Sequence, residues 1–179
     1  MLFKETKLKG AYIIKLDKKT DPRGFFVRNF CRKEFKTHGL KFSIKQSNLS
    51  FSREKGTLRG IHYQVAPYQE IKLVSCIQGA VYDVIIDLRK NSKTYLKWFT
   101  IELNAKNLAS LYIPKGFAHG FQTLTDNVIL LYQMSEYYRP ESSQGIRWDD
   151  AVFKINWPLP IAKISQRDNA YDFWQLKIA

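Results

Sequence analysis

The sequence predicts an all-β fold, a sandwich or barrel of short strands, on three observations. Ten short runs of apolar residues, many of them alternating with polar ones, are separated by Gly- and Asn-containing turns. Helical periodicity is scarce. Aromatic residues make up 15% of the chain, a share that a sheet-rich core or an aromatic-lined pocket would use.

In chain order, strands are expected over residues 11–16, 24–30, 42–51, 57–62, 71–78, 80–88, 96–103, 108–113, 120–124 and 128–135. The step from 71–78 into 80–88 reads as a hairpin with Gly79 in its turn. Within 80–88 the period of two sends Val81, Asp83, Ile85 and Asp87 one way. Tyr82, Val84, Ile86 and Leu88 go the other way, toward the expected core. The best short helix is 32–38, ended by Gly39, and a further helix or turn is expected at 104–109. No strand alternates with a long helix, and neither GxGxxG nor GxxxxGK occurs. A doubly wound nucleotide-binding sheet is therefore not expected.

A chain of 179 residues suits one domain, read as 1–179. Cys31 and Cys76 form neither a disulfide framework nor a zinc spacing and read as reduced thiols. No apolar run approaches the ~20 residues of a membrane span, and the opening MLFKETKLKG lacks the apolar core of a signal peptide. A cytoplasmic protein is expected. Net charge is +13, concentrated in residues 1–60, which hold 16 Lys and Arg against 5 Asp and Glu. Such a segment suits an anionic partner: nucleic acid, membrane lipid or a phosphorylated small molecule.

Of three histidines, His38 precedes Gly39 and reads as a surface helix cap. His62 and His119 end strands amid glycine and aromatic residues, where a lone histidine is commonly structural. A metal site would want a second ligand two residues after His62, but position 64 is Gln, and a suitably spaced acidic residue is missing. No metal is expected. Arg23, beside Gly24, and Arg59, beside Gly60, suit bidentate phosphate binding or a sheet-edge salt bridge. Gln46 and Asn48 leave one strand on the same face as neutral hydrogen-bonding groups.

Together these segments resemble the dTDP-4-dehydrorhamnose 3,5-epimerase family. The matching pieces run nearly the whole chain. They include DPRGFF from Asp21, QSNLS from Gln46, LRGIHYQ from Leu58 and Lys72-Leu-Val. They continue with IPKGFAHGF from Ile113, Tyr132, Tyr137-Tyr138 and ISQRD from Ile164. The resemblance implies a cupin-type double-stranded β-helix, or jelly roll, without metal or organic cofactor. It implies a nucleotide-diphosphate sugar as partner, no nucleic acid and no membrane. It also implies a homodimer whose exchanged N-terminal strands place Arg23 and Phe26 in the neighbour's pocket.

The resemblance assigns roles by motif. His62 would be the general base, Asp168 its orienting carboxylate, Tyr132 the acid on the opposite face and Lys72 the stabiliser of the enolate oxygen. Arg23, Gln46, Asn48, Arg59, His119 and Arg167 would hold phosphate and sugar oxygens, and Phe26 and Tyr138 would flank the base. Arg28, standing where the family is usually acidic, would bind the diphosphate or change the base preference. The chemistry is coherent, because the hydrogens on C3 and C5 both neighbour the C4 ketone and one oxyanion stabiliser serves both centres. The implied reaction inverts C3 and C5 of a dTDP-4-keto-6-deoxyhexose. The alternatives are a single-centre epimerase or a 3,4-ketoisomerase on a related nucleotide-linked 4-keto sugar. The chain departs from the family pattern at Arg28, Glu70, Ile71, Ser75, Lys115 and Gln133.

Overall fold

A computed structural model describes residues 1–174, so residues 175–179 of the expected 1–179 unit lie outside the described residues. The ten expected runs become strands, three further short strands join them, and among the described residues there are also two short α-helices and a 3-10 turn at Pro140–Ser142. The N-terminal elements are β1 (Leu2–Glu5), β2 (Tyr12–Lys15), β3 (Lys18–Asp21), β4 (Gly24–Val27) and α1 (Arg32–Thr37). The central strands are β5 (Gln46–Ser52), β6 (Leu58–Gln64), β7 (Lys72–Gln78), β8 (Ala80–Asp87) and β9 (Trp98–Asn104). There follow β10 (Ala109–Ile113), β11 (Phe117–Thr123), β12 (Val128–Met134), β13 (Ser143–Gly145) and α2 (Gln166–Asn169).

Two antiparallel sheets face each other, one ordered β1-β2-β10-β7-β12-β5 and the other β13-β6-β11-β8-β9. This is the double-sheet jelly roll expected from the sequence. Between them lies a core in which Val74, Cys76, Leu111 and Leu130 of the first sheet meet Val81, Ile85, Leu103 and Phe121 of the second. Each outer face is also covered. Phe35 of α1, with Leu40 and Phe42, packs on Ile14, Leu73 and Tyr112. Ile146 and Phe153 of the C-terminal segment pack on Ile61, Ile86 and Ala118. Burial of the Cys76 thiol between the sheets pushes its pKa up to about 11, so it stays a thiol at neutral pH.

The turn at Gly79 forms as expected, with a φ of +75° that favours glycine. The helix at 32–38 ends with His38 as its C-cap, and His38 Nδ1 lies 2.9 Å from the Glu34 carbonyl oxygen. The stretch 104–109 is a turn: the Asn104 side-chain oxygen accepts from the amides of Lys106 and Asn107, which competes with helix.

Two expectations are corrected. Strand β5 starts at Gln46, not at residue 42, because Phe42 is drawn into the cluster around α1. In β8 the faces are reversed: Val81 and Ile85 enter the inter-sheet core, while Ile86 packs outward under Phe153. Both faces of this strand are apolar because the C-terminal segment covers the outer one, so alternation could not identify the inner face.

Asp87, fully buried, anchors the loop after β8. Burial opposes its ionisation, but hydrogen bonds from Arg89, Ser92 and Thr94 outweigh this and hold its pKa at about 2. A depressed carboxylate stabilises the fold above the ordinary Asp pKa and loses that contribution as pH falls through the folded value. The stability advantage of wild type over Asp87→Asn is therefore expected to be greatest above about pH 5 and to shrink by about 2 kcal/mol on descending to about pH 2. Urea melts across that range measure it; a pH-independent difference would contradict the ionised carboxylate.

Strands β6 and β11 pass close to one another at Gly60 and Gly120. A Cβ on Gly60, whose φ is +111°, would lie 2.6 Å from Gly120 Cα and 2.8 Å from the His119 carbonyl oxygen. Gly60→Ala is expected to part these strands and cost about 2 kcal/mol or more, measurable by thermal and urea unfolding.

Candidate functional site

Alternation along the strands produces a cavity at one end of the core. On β12 the inward series starts with Val128 and Leu130 in the core and continues with Tyr132 and Met134 on the cavity wall. On β7, Cys76 and Val74 belong to the core and Lys72 to the wall. Asn48 and Ser50 continue the wall on β5, where Asn48 is the register partner of Tyr132. From the facing sheet come Arg59 and His62 of β6 and His119 of β11, with His62 and His119 in register. The C-terminal segment closes one side with Ser165, Arg167 and Asp168. The cavity has a volume of about 670 Å³.

The four residues expected to carry the chemistry converge here. His62 Nε2 lies 2.7 Å from Asp168 Oδ1, across 106 positions of sequence. The second carboxylate oxygen accepts from the Gly60 amide at 3.0 Å, and Ser165 Oγ caps the residue by accepting from its amide at 3.0 Å. Burial opposes ionisation of Asp168, but the His62 contact and these bonds hold its pKa below the usual carboxylate value. With Asp168 ionised, it accepts from Nε2–H and leaves the lone pair on His62 Nδ1.

Lys72 reaches from the opposite sheet. Its ammonium donates to the His62 carbonyl oxygen at 3.3 Å and pairs with Glu70 Oε1 at 3.0 Å. Tyr132 stands on the same sheet as Lys72, edge-on to the His119 ring at 6.2 Å between centroids. Burial pushes its phenol well above the ordinary range, against weaker opposing effects of a Ser50 hydrogen bond and the Arg59 charge. Tyr132 therefore holds its proton at neutral pH. His119 is itself tied to the buried Asp83, with Nε2 2.9 Å from Oδ2. Burial raises the pKa of Asp83, and the nearby His119 and Lys72 oppose the rise.

The expected binding residues divide. Asn48, Arg59, His119, Tyr138 and Arg167 line the cavity. Arg59 is fixed from behind, its Nε donating to Ser52 Oγ at 3.0 Å and one terminal nitrogen to the Phe51 carbonyl at 2.9 Å. Arg167 donates to the hydroxyls of Tyr138, Tyr171 and Ser143, and its hydrogen bond lowers the Tyr138 pKa. Gln46, at the parity of Asn48, is not among the wall residues and accepts from the Tyr138 amide. Arg23 and Phe26 sit on the β3–β4 hairpin, which pairs with neither large sheet. There Phe26 is 67% exposed and Arg23 pairs with Asp21. Arg28 is turned to Glu34 at 3.2 Å. Of the departures from the family pattern, Ser75, Lys115 and Gln133 are not on this wall, whereas Glu70 is. Ser75 lies on β7 with the parity of Leu73, on the outer face, where it bonds Ser110 at 2.6 Å.

Sequence reasoning missed several wall residues. Ser50 and Met134 follow Asn48 and Tyr132 by two positions, so parity could have found them. Lys163 and Ser165 lie beyond two prolines in a segment with no periodicity. Asp83 was placed on the wrong side of β8. Gln64, the position tested for a metal ligand, is a structural clamp, donating to the carbonyls of Tyr68 and Tyr137 and accepting from the Arg139 amide.

The family described as dTDP-4-dehydrorhamnose 3,5-epimerase matches residues 5–175. A protein of that name from Methanothermobacter thermautotrophicus is 43% identical over 169 residues, covering 93% of this chain and 90% of its own. The crystal structure of such an enzyme from Bacillus anthracis str. Ames, with TDP and PPi bound, superposes with a TM-score of 0.94 at 39% identity, covering 97% of this chain and 99% of that one. The Legionella pneumophila Philadelphia 1 enzyme in complex with dTDP-4-keto-L-rhamnose gives a TM-score of 0.91 at 36% identity, covering 96% and 92%.

Proposed function

Because the chain belongs to the dTDP-4-dehydrorhamnose 3,5-epimerase family, an isomerase class, we propose that its cavity inverts C3 and C5 of a dTDP-4-keto-6-deoxyhexose, with His62 and Tyr132 moving the protons. The observation that carries this reading is the placement of His62 and Tyr132 on facing sheets around one cavity, with the Lys72 ammonium on its wall donating to the His62 carbonyl.

The steps follow from the groups. The free nitrogen of His62 takes the proton from the carbon beside the ketone, and Asp168 stabilises the imidazolium that forms. The electron pair left behind moves onto the C4 oxygen, where the Lys72 ammonium meets the developing negative charge. Tyr132 returns a proton from the other face, which inverts the carbon. The phenolate this leaves is disfavoured by its burial, so before the second centre reacts Tyr132 takes a proton from water and the His62 imidazolium gives its proton up to water, which restores both groups. The protons removed and returned balance, and no electron leaves the substrate.

Arg59 and Arg167, held in place by side chains and carbonyls, suit the diphosphate, and Asn48 and His119 suit sugar oxygens. The β3–β4 hairpin carries Phe25, Phe26 and Arg23 away from the sheets. We assign it to the cavity of a second copy, where an aromatic ring and a guanidinium would meet base and phosphate. This makes the working form a homodimer of chains that each act as one domain in the cytoplasm.

The test is solvent exchange in heavy water. Wild type is expected to label the sugar at C3 and C5; no label with folded protein overturns the reading, and label at one carbon alone reduces it to a single-centre epimerase. His62→Asn is expected to lower exchange at both carbons about 100- to 10,000-fold. Tyr132→Phe is expected to retain exchange at C3 while losing inverted product. Equal loss of both would remove Tyr132 from the role of final acid.

A further inference from the structure

Glu70 takes no part in the proton transfers, yet it is buried on the cavity wall beside the residue on which they depend. Its side chain is 4% exposed and that of Lys72 is 12% exposed. One carboxylate oxygen meets the Lys72 ammonium at 3.0 Å, and the other is buried without a hydrogen-bond partner among the described residues. A half-satisfied buried carboxylate is costly to a fold, and an amide or an apolar residue of similar size would cost less. The loop that bears it is nonetheless held firmly inward. Gln64 clamps the Tyr68 carbonyl, and the Ile71 amide and carbonyl both bond Ser135, through its hydroxyl and its amide.

We propose that Glu70 is a positioning residue for Lys72, aiming the ammonium at the substrate's carbonyl oxygen and supplying its countercharge. An ammonium has three donors. Glu70 takes one and the His62 carbonyl takes a second, which leaves one direction for the third. The two fixed bonds come from different sides of the cavity wall, the loop before β7 and strand β6, so the nitrogen is held without a contact from the substrate. Such preorganisation is what makes a cation effective toward charge that develops only in the transition state. The other charged or titratable groups around Lys72 do not replace Glu70: Asp83 is engaged by His119, and His62 by Asp168.

This inference rests on the reading of Lys72 as the partner of the enolate oxygen, and a double-mutant cycle separates the two. Glu70→Gln keeps the shape and removes the charge. It is expected to lower kcat about 10- to 100-fold with KM changed less than about threefold, since only the transition state gains the charge on oxygen. Added to Lys72→Met, the same change is expected to alter kcat by less than about twofold, because there is no ammonium left to aim. Glu70→Asp, which keeps the charge, is expected to recover part of the loss; it also serves for the cycle if circular dichroism shows Glu70→Gln to be unfolded. Wild-type kcat in Glu70→Gln, or an equal loss in both backgrounds, overturns the positioning role. Wild-type kcat in Lys72→Met overturns the underlying reading instead.

Discussion

An ionisable side chain between two apolar sheets is tolerated only where a partner takes up its charge or its hydrogen bonds. The cavity is assembled around that constraint. His62 has Asp168, His119 has Asp83 and Lys72 has Glu70, each pair within 3.0 Å. The Asp168 pair matters most to the architecture, because it draws a helix of four residues near the end of the chain onto β6, with the Gly60 amide as a second anchor. Backbone bonds from Ala162 to Gly56 and from Leu58 to Lys163 hold the same segment to the start of β6, so the wall on that side is tied at both its ends.

The division of the interior into a dry core and a reactive cavity needs no separate device. Strands β7 and β12 each direct alternate residues inward, and along each the inward residue changes from Val or Leu to Lys or Tyr at the cavity end. The apolar end holds the strands in register, and the register then sets where the polar groups project. A slip of one residue would exchange Lys72 for Leu73 and Tyr132 for Gln133, placing hydrocarbon and amide where the ammonium and phenol now stand.

The basic N-terminal third is distributed rather than focused. Lys9, Lys19, Arg23 and Arg28 pair with carboxylates at the surface, while Arg59 alone of this segment's cations reaches the cavity wall. Net charge thus describes a general attraction for anions, whereas the two guanidinium groups on the wall, Arg59 and Arg167, are each fixed by neighbouring side chains.

Ten strands, the hairpin at Gly79 and the helix over Arg32–Thr37 follow local alternation and turn chemistry, whereas β1, β3 and β13, short and weakly apolar, carry no such local signal and were not expected. His62 and Asp168 stand in the contiguous pieces LRGIHYQ and ISQRD, whereas Lys72 and Tyr132 were singled out by the family resemblance alone, and nothing local shows that the four meet. The inner face of β8 was not legible, since Ile85 and Ile86 are equally apolar and only the packing of Phe153 decides which is outside. Nor was the role of Glu70 or Asp83, because a carboxylate in sequence looks the same whether it faces water or an ammonium. Periodicity records which residues share a face of one strand. Which face is covered, and which charge lies across the gap, depends on contacts between segments more than 100 positions apart, and only the folded chain brings those together.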